Sequence, residues 1–149
     1  MSRIVVGVDG SEGSEQALQW AAREASLRGA TLDVIHAYDG SPASMESISS
    51  AEQAERVFNA PRESAEALVA SLVEGLGDVE VEAHAIESHN PAHTLVEKSK
   101  SADMLVVSSR GLGGFKSLIL GSVSQQCAQH AECPVVIIRS RVEGRTPSP

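Results

Sequence analysis

Three short runs of apolar, mostly branched residues constrain the fold of this chain more than any other feature. They are R-I-V-V-G-V-D at Arg3–Asp9, M-L-V-V at Met104–Val107 and V-V-I-I at Val135–Ile138. Continuous apolar runs of this length are typical of strands that are covered on both faces, as in parallel sheets. We therefore expect a parallel sheet in which the first of these segments is a central strand.

Segments with helical spacing alternate with the strands. The sequence predicts a strand over Thr31–Tyr38, a half-wet edge strand over Val79–Ala85, and four helices. The helices are expected from Ser11 or Ser14 to Gly29, around Pro61 with an interruption or a restart there, from Asn90 to Lys100, and up to about His130. A βαβαβαβαβ pattern indicates an α/β fold, a doubly wound five-stranded parallel sheet with helices on both faces. We expect one domain over residues 1–140 and a loose tail over 141–149.

Charge and composition exclude several classes of partner. The chain has 149 residues, with 12 basic against 20 acidic side chains and a formal net charge of −8. Nucleic acid and anionic membranes are recognised by clustered Lys and Arg, so neither is expected as a partner. With neither a signal peptide nor a bilayer-length apolar run recognised, we expect a cytoplasmic protein whose Cys127 and Cys133 are reduced thiols.

The stretch from Met104 to Ser124 predicts an anion site. A buried strand leads into a glycine-rich turn and then into a helix that contains or begins at Gly121-Ser122. Glycines allow a ligand to approach the backbone, and the N–H groups at a helix N-terminus attract negative charge. A Walker A loop is excluded because one residue is inserted before Lys116, and the same lysine replaces the third glycine of a dinucleotide fingerprint. The remaining spacing suits a loop that cradles the phosphates of a nucleotide.

These motifs resemble those of the universal stress protein family, of the nucleotide-binding kind. That family carries Gly-x2-Gly-x9-Gly-Ser/Thr, which is matched here by Gly111, Gly121 and Ser122, whereas Ser108 stands at the first glycine. The V-G-V-D-G-S start, the H-A end of the second strand and the C-P-V-V-I-I-R finish also match. The resemblance covers nearly the whole chain.

The resemblance implies strand order 3-2-1-4-5 and an ATP site at the gap between strands one and four. The residues expected beside the adenine and ribose are Gly7, Val8, Asp9 and Ala37. Those expected under the ribose and phosphates are Val107 and Ser108. Those expected to line the phosphate loop and hold the distal phosphates are Arg110, Gly111, Gly113, Gly114, Gly121, Ser122, Val123 and Ser124. Mg²⁺ could be bound by Asp9 and Ser122 through the nucleotide.

Several of these residues also have a structural interpretation. Asp9 could cap the first helix, Arg110 could be a solvated charge, and Ser122 could be a helix cap. His36 lies in an apolar strand and is interpreted as a core histidine with a satisfied hydrogen bond. His89 and His93 are not expected to form a metal site, because no third ligand accompanies them.

Four functions remain open at this point. The chain could be a regulatory ATP-binding protein of the stress response or, with no convincing general base, at most a slow ATPase. It could also be a protein-interaction module that has lost ATP because of Ser108, or a binder of another adenine nucleotide such as cyclic AMP. Serine at that position costs about 1 kcal/mol or more if the backbone there needs glycine's angles, and crowds the ligand if space is needed.

The last strand predicts a homodimer. In the implied order Val135–Ile138 is a sheet edge, and an exposed apolar edge is a liability unless it is paired or covered. A second copy running antiparallel across a two-fold axis would pair it, and the resemblance implies the same. A proline at Val136 is expected to remove a backbone donor from that edge.

Overall fold

A computed structural model describes residues 2–40, 50–110 and 120–139, without the side chains of residues 56–58. The described strands are β1 (Arg3–Gly7), β2 (Thr31–Tyr38), β3 (Val81–Glu87), β4 (Met104–Ser108) and β5 (Val135–Ile138). The described helices are α1 (Glu12–Arg28), α2 (Ala51–Val73), α3 (Pro91–Lys98) and α4 (Ser122–His130). Strands and helices alternate throughout, which confirms the predicted α/β class.

The five strands form one parallel sheet in the order β3-β2-β1-β4-β5. This is the order that the resemblance implied, and β1 is central as its apolar run predicted. The chain adds strands to one side of β1 and then, from β4 onwards, to the other. The carboxyl ends of β1 and β4 therefore bound the crevice at which doubly wound sheets bind ligands.

Each face of the sheet buries its own apolar cluster. Helices α1 and α2 cover the face that includes Ile4, Val6 and Val106. Helices α3 and α4 cover the opposite face, which includes Val5, Leu105 and Val107. Helix α1 approaches the sheet closely because most of its buried residues are small. They are Gly13, Ser14, Ala17, Ala21, Ala22 and Ala25, with Leu18 as the one large side chain.

Two predicted boundaries were wrong. Helix α2 continues through Pro61 instead of breaking there, since a proline removes only one backbone donor while Ala65 and Val69 remain buried against the sheet. Strand β3 runs two residues further along the chain than the pattern predicted. Val79 N–H is held in a turn by the Gly77 carbonyl at 2.9 Å, and pairing continues up to Tyr38 and Glu87.

An ionic cluster closes the end of the sheet opposite to the crevice. The Arg3 guanidinium binds the Asp33 carboxylate of β2, and it binds Glu82 of β3 at 2.7 Å. The hydrogen bond from Arg3 lowers the pKa of Glu82 below its usual value of 4.5. This cluster satisfies Asp33, a charged residue that is only 8% exposed.

Some predicted segments lie outside the described residues. They are most of the loop over 39–50, the part of the glycine-rich turn over 111–114 and the tail over 141–149. Among the helices that the structure does describe, none combines the length and the apolar character needed to cross a membrane.

Candidate functional site

Val8 ends the pairing of β1 with β2 at the rim of the crevice. Its N–H donates to the Ile35 carbonyl at 2.9 Å, one residue beyond the last residue of β1. Its carbonyl lies 2.9 Å from Nδ1 of His36. The side chain is buried with the α1 face of the core. Both polar backbone groups of Val8 are thus held by consecutive residues of β2.

Asp9 begins the turn that leads into α1. Its Oδ1 accepts hydrogen bonds from Ser11 N–H at 2.9 Å and from the Ser11 hydroxyl at 2.5 Å. The backbone N–H of Asp9 donates to the Ser14 hydroxyl oxygen at 3.2 Å. Gly10 has φ of +84°, a conformation that L side chains rarely adopt, and this lets the chain turn sharply. One carboxylate oxygen therefore organises the turn at the carboxyl end of the central strand.

Gly7 is closely packed within the protein. A Cβ at this position would lie 2.7 Å from Cδ1 of Leu95, a buried side chain of α3. The sequence predicted that something approaches the backbone here, and in the structure the approaching group is α3. Any role of Gly7 beside a ligand stays a prediction.

Ala37 lies in β2, past the end of β1. In a parallel ladder alternate residues turn their N–H and C=O groups to the same neighbouring strand. Thr31 N–H and the Ile35 carbonyl both bond toward β1, at 3.0 and 2.9 Å. Ala37 shares this parity, so its peptide groups face the side of β1, where the crevice opens.

Ser108 ends β4 without backbone strain. No described residue other than glycine has a positive φ, so serine needs no glycine-like angles at this position. Its hydroxyl donates to the Arg110 carbonyl. The sequence left two costs open for Ser108, backbone strain and crowding of the ligand, and the backbone strain is therefore absent. The Ser108 hydroxyl is turned toward the backbone that leads into the glycine-rich stretch.

Ser109 connects β4, β5 and α4. Its N–H donates to the Ile138 carbonyl at 2.8 Å, and its carbonyl accepts from Gly121 N–H and, at 3.0 Å, from the Ser124 hydroxyl. The Ser124 hydroxyl also reaches the Gly121 carbonyl at 3.0 Å, and both Ser109 and Ser124 are buried. The start of α4 is consequently fixed beside the end of β4.

The N-terminus of α4 has a glycine where the other helices have a capping side chain. Ser11, Ser50 and Asn90 cap α1, α2 and α3, whereas the N-cap of α4 is Gly121 and makes no side-chain cap hydrogen bond. Gly121 has φ of −76° and ψ of 172°, an extended conformation open to any residue. Ser122 is exposed and Val123 is half-buried, so the first turn of α4 is accessible to a ligand.

The described part of the predicted site comes together around one end of the sheet. Val8 and Asp9 follow β1, Val107 and Ser108 end β4, and the residues from Gly121 to Ser124 begin α4. Gly111, Gly113 and Gly114 lie outside the described residues. The sequence did not single out Ser109, although its place directly after a buried strand and before a glycine-rich turn is the signal that could have done so.

Within residues 2–40, 50–110 and 120–139, no three His, Cys, Asp or Glu side chains are grouped as metal ligands. Both cysteines are free thiols, as predicted. Burial, with a smaller contribution from Cys133, raises the pKa of Cys127 to about 11, so this thiol stays protonated at neutral pH.

Comparison with known proteins decides the family. The model of the universal stress protein family matches residues 1–139. The chain belongs to the universal stress protein family. A universal stress protein of Mycolicibacterium smegmatis is 36% identical over 141 residues, and one of Mycobacterium tuberculosis, Rv2005c, is 36% identical over 140. These alignments cover 93% and 91% of the chain but 46% and 45% of the relatives, so the chain spans about half their length.

Solved structures of universal stress proteins share this fold. UspA from Lactobacillus plantarum aligns with a TM-score of 0.76 at 21% identity, covering 93% of this chain and 97% of its own. A universal stress protein in complex with cAMP aligns at 0.69 and 25% identity, with coverage of 94% and 98%. The protein from Archaeoglobus fulgidus in complex with dAMP aligns at 0.63 and 26% identity, with coverage of 93% and 98%.

Proposed function

We propose that this universal stress protein is a regulatory adenine-nucleotide binder, with ATP as its ligand, in the crevice between the carboxyl ends of β1 and β4. Ribose and adenine lie along Val8, Asp9 and Ala37, and the phosphates lie at the first turn of α4. Any hydrolysis is slow, since the site residues include no evident general base.

The placement of α4 is the observation that carries this proposal. Its N-terminus has no side-chain cap and is fixed beside β4 through Ser109, so its N–H groups are pre-organised for an anion. Because the Ser124 hydroxyl is already bonded within the protein, Ser124 contributes its N–H group. The complexes of related universal stress proteins with cAMP and dAMP support an adenine nucleotide as the ligand.

The second candidate function is that of a protein-interaction module that has lost nucleotide binding because of Ser108. The geometry favours retention, because Ser108 has no positive φ and its hydroxyl already donates to the Arg110 carbonyl. Serine adds little volume to that turn. Mg²⁺ then accompanies ATP, held chiefly by the phosphates with Asp9 and Ser122 nearby.

Mass spectrometry of the purified protein, denatured directly after purification, tests the proposal. We expect released ATP at close to one equivalent. Calorimetric titration of nucleotide-free protein with ATP, AMP, cAMP and GTP then ranks the ligands. If ATP neither co-purifies nor binds at millimolar concentration while cAMP binds, the ligand is cAMP; if no adenine nucleotide binds, the interaction module is the function.

We also infer that the protein forms a homodimer through β5. This strand is the sheet edge next to β4, and all four of its residues are half-buried within one chain. An antiparallel copy of β5 across a two-fold axis would satisfy its outer backbone groups and cover its side chains.

A further inference from the structure

We propose that His36 is a positioning and specificity-determining residue of the crevice. Its imidazole takes the Val8 carbonyl out of the backbone ladder and leaves the Ala37 N–H facing the ligand. The inference rests on the proposed function, because it assigns the group that recognises the base of the nucleotide.

The register of β1 and β2 shows what a regular ladder would do at this point. Thr31 is paired with Arg3, and its N–H donates to the carbonyl of the preceding residue, Ser2, at 3.0 Å. The same register, extended from Gly7 and Ile35, places Asp9 opposite Ala37. In that ladder the Ala37 N–H would donate to the Val8 carbonyl.

The structure places a side chain on that carbonyl instead. Nδ1 of His36 lies 2.9 Å from the Val8 oxygen, and the last backbone bond between the two segments, in the part of the chain described, is Val8 N–H to Ile35. A carbonyl oxygen only accepts, so Nδ1 carries the proton. The ring of Tyr38 lies with its centroid 6.2 Å from that of His36.

The consequence is a peptide N–H aimed at the ligand. The Ala37 N–H and C=O groups form a donor and acceptor pair on the side of β2 that faces β1, beyond the point where β1 ends. Adenine offers a matching edge, a ring-nitrogen acceptor beside an amino donor, whereas guanine has a ring N–H and a carbonyl there. A site that donates a hydrogen bond to the base rejects a base that has no acceptor at that position. Because His36 leaves the Ala37 N–H available as this donor, His36 favours adenine over guanine.

A matched pair of variants isolates the imidazole donor. The side chains in His36→Leu and His36→Asn have the same branched heavy-atom skeleton, but only asparagine keeps an N–H near the position of Nδ1. His84→Asn on β3, an exposed histidine paired with Ile35, is the control for loss of a histidine from the sheet. Each variant is titrated with ATP and GTP, and exchange of the Ala37 amide proton is followed by NMR without ligand.

We expect His36→Leu to weaken ATP binding by about tenfold and to narrow the ratio of ATP to GTP affinity. Its Ala37 amide should exchange more slowly than in wild type, because the Val8 carbonyl becomes available to it. His36→Asn should stay within about threefold of wild type in both measurements, and His84→Asn should match wild type. Thermal unfolding checks that the variants are folded, and His36→Phe replaces the leucine variant if that protein does not fold.

Two outcomes would overturn the role of His36. One is wild-type ATP affinity and Ala37 exchange in His36→Leu; the other is equal weakening in the leucine and asparagine variants, which would show a packing role. Failure of the wild type to bind any adenine nucleotide would overturn the proposed function instead. Ala37 exchange would still decide whether His36 replaces the ladder bond.

Discussion

At the residue scale, three polar side chains of the crevice are hydrogen-bonded within the protein. The Asp9 carboxylate binds Ser11, the Ser108 hydroxyl binds Arg110, and the Ser124 hydroxyl binds Ser109. The two interpretations that the sequence offered for Asp9, a turn cap and a ligand contact, are therefore compatible. One oxygen serves the turn, and the contact of Asp9 with a ribose or a metal ion stays a prediction.

Substitution of Asp9 separates its two roles. Asp9→Asn keeps an oxygen that accepts from Ser11, so we expect wild-type stability but ATP binding weakened by about tenfold through loss of charge. Asp9→Ala loses the turn as well and should cost about 1 kcal/mol in the free energy of unfolding. Calorimetric titration and urea unfolding measure the two effects. Normal ATP affinity in both variants would leave Asp9 with a structural role alone.

The thiol of Cys127 predicts a loss of stability at alkaline pH. Burial holds its pKa at about 11 in the folded state, above the usual 9.0, so the unfolded state loses this proton first. Its contribution is complete below pH 9 and is lost as pH rises toward 11, by at most roughly 3 kcal/mol. We expect urea unfolding at pH 8 and 10.5 to show a smaller loss for Cys127→Ala than for wild type.

A variant at the other cysteine is the control for that measurement. Cys133→Ala removes the charge interaction with Cys133, which is the smaller of the two causes that raise the pKa of Cys127. This variant should lose nearly as much stability as wild type between the two pH values. Equal pH dependence in wild type and Cys127→Ala would show that other groups control alkaline unfolding.

At the element scale, the start of α4 depends on backbone contacts and has no side-chain cap. Gly121 N–H donates to the Ser109 carbonyl, and the Ser124 hydroxyl is bonded to the carbonyls of both residues. Because the backbone angles of Gly121 are extended, a left-handed conformation is not the reason for glycine at this position. Glycine is needed there, on our proposal, because phosphate approaches the backbone. Replacement therefore acts through side-chain volume.

We expect Gly121→Val to abolish nucleotide binding while the fold is retained. Its branched side chain would occupy the space of the phosphate, and a valine N-cap should cost about 1 kcal/mol relative to glycine. Gly121→Ser is the matched control for capping, since it adds a smaller side chain that stabilises the helix. ATP titration with circular dichroism measures both effects. Unchanged ATP affinity in the valine variant contradicts the assignment of α4 as the phosphate site.

At the scale of the whole molecule, the two edges of the sheet differ. Strand β3 carries Glu82, His84 and Glu87 with an ionic contact to Arg3, whereas β5 has four branched apolar side chains. Pro134 and Ile138 direct their carbonyls to β4, at 2.9 and 2.8 Å from the donors Leu105 and Ser109. By alternation Val136 faces β4 as well, and the N–H groups of Val135 and Ile137 face outward.

Because Val136 faces β4, a proline at Val136 does not test the dimer as the sequence analysis expected. A proline at Val136 would break the bond to β4 within one chain, so Ile137→Pro is the informative variant. We expect multi-angle light scattering to show a dimer for wild type at micromolar concentration and a monomer for Ile137→Pro. Ile137→Ala, which loses packing but keeps the N–H, should remain largely dimeric. A monomeric wild type, or a dimeric proline variant that is folded, excludes β5 as the interface.

The local patterns of the sequence determined the class of the fold and the ends of most elements. Short runs of branched apolar residues require burial on both faces, and Ser11, Gly29, Asn90 and Pro91 act within one or two turns of chain. The strand order came from resemblance, since residue patterns do not fix which strands are neighbours. The errors at Pro61 and at β3 arose where tertiary packing and pairing with β2 overruled a local signal.

Only the tertiary structure decided how the residues of the crevice are used. Gly7 packs closely against Leu95 of α3, Ser109 joins three elements, and His36 holds Val8. Each of these contacts joins residues that are distant in the sequence. Serine at position 108 was ambiguous in the sequence because its backbone angles are set by the path from β4 to α4. The chemistry of a side chain is local, whereas its hydrogen-bond partner depends on which segments the fold brings together.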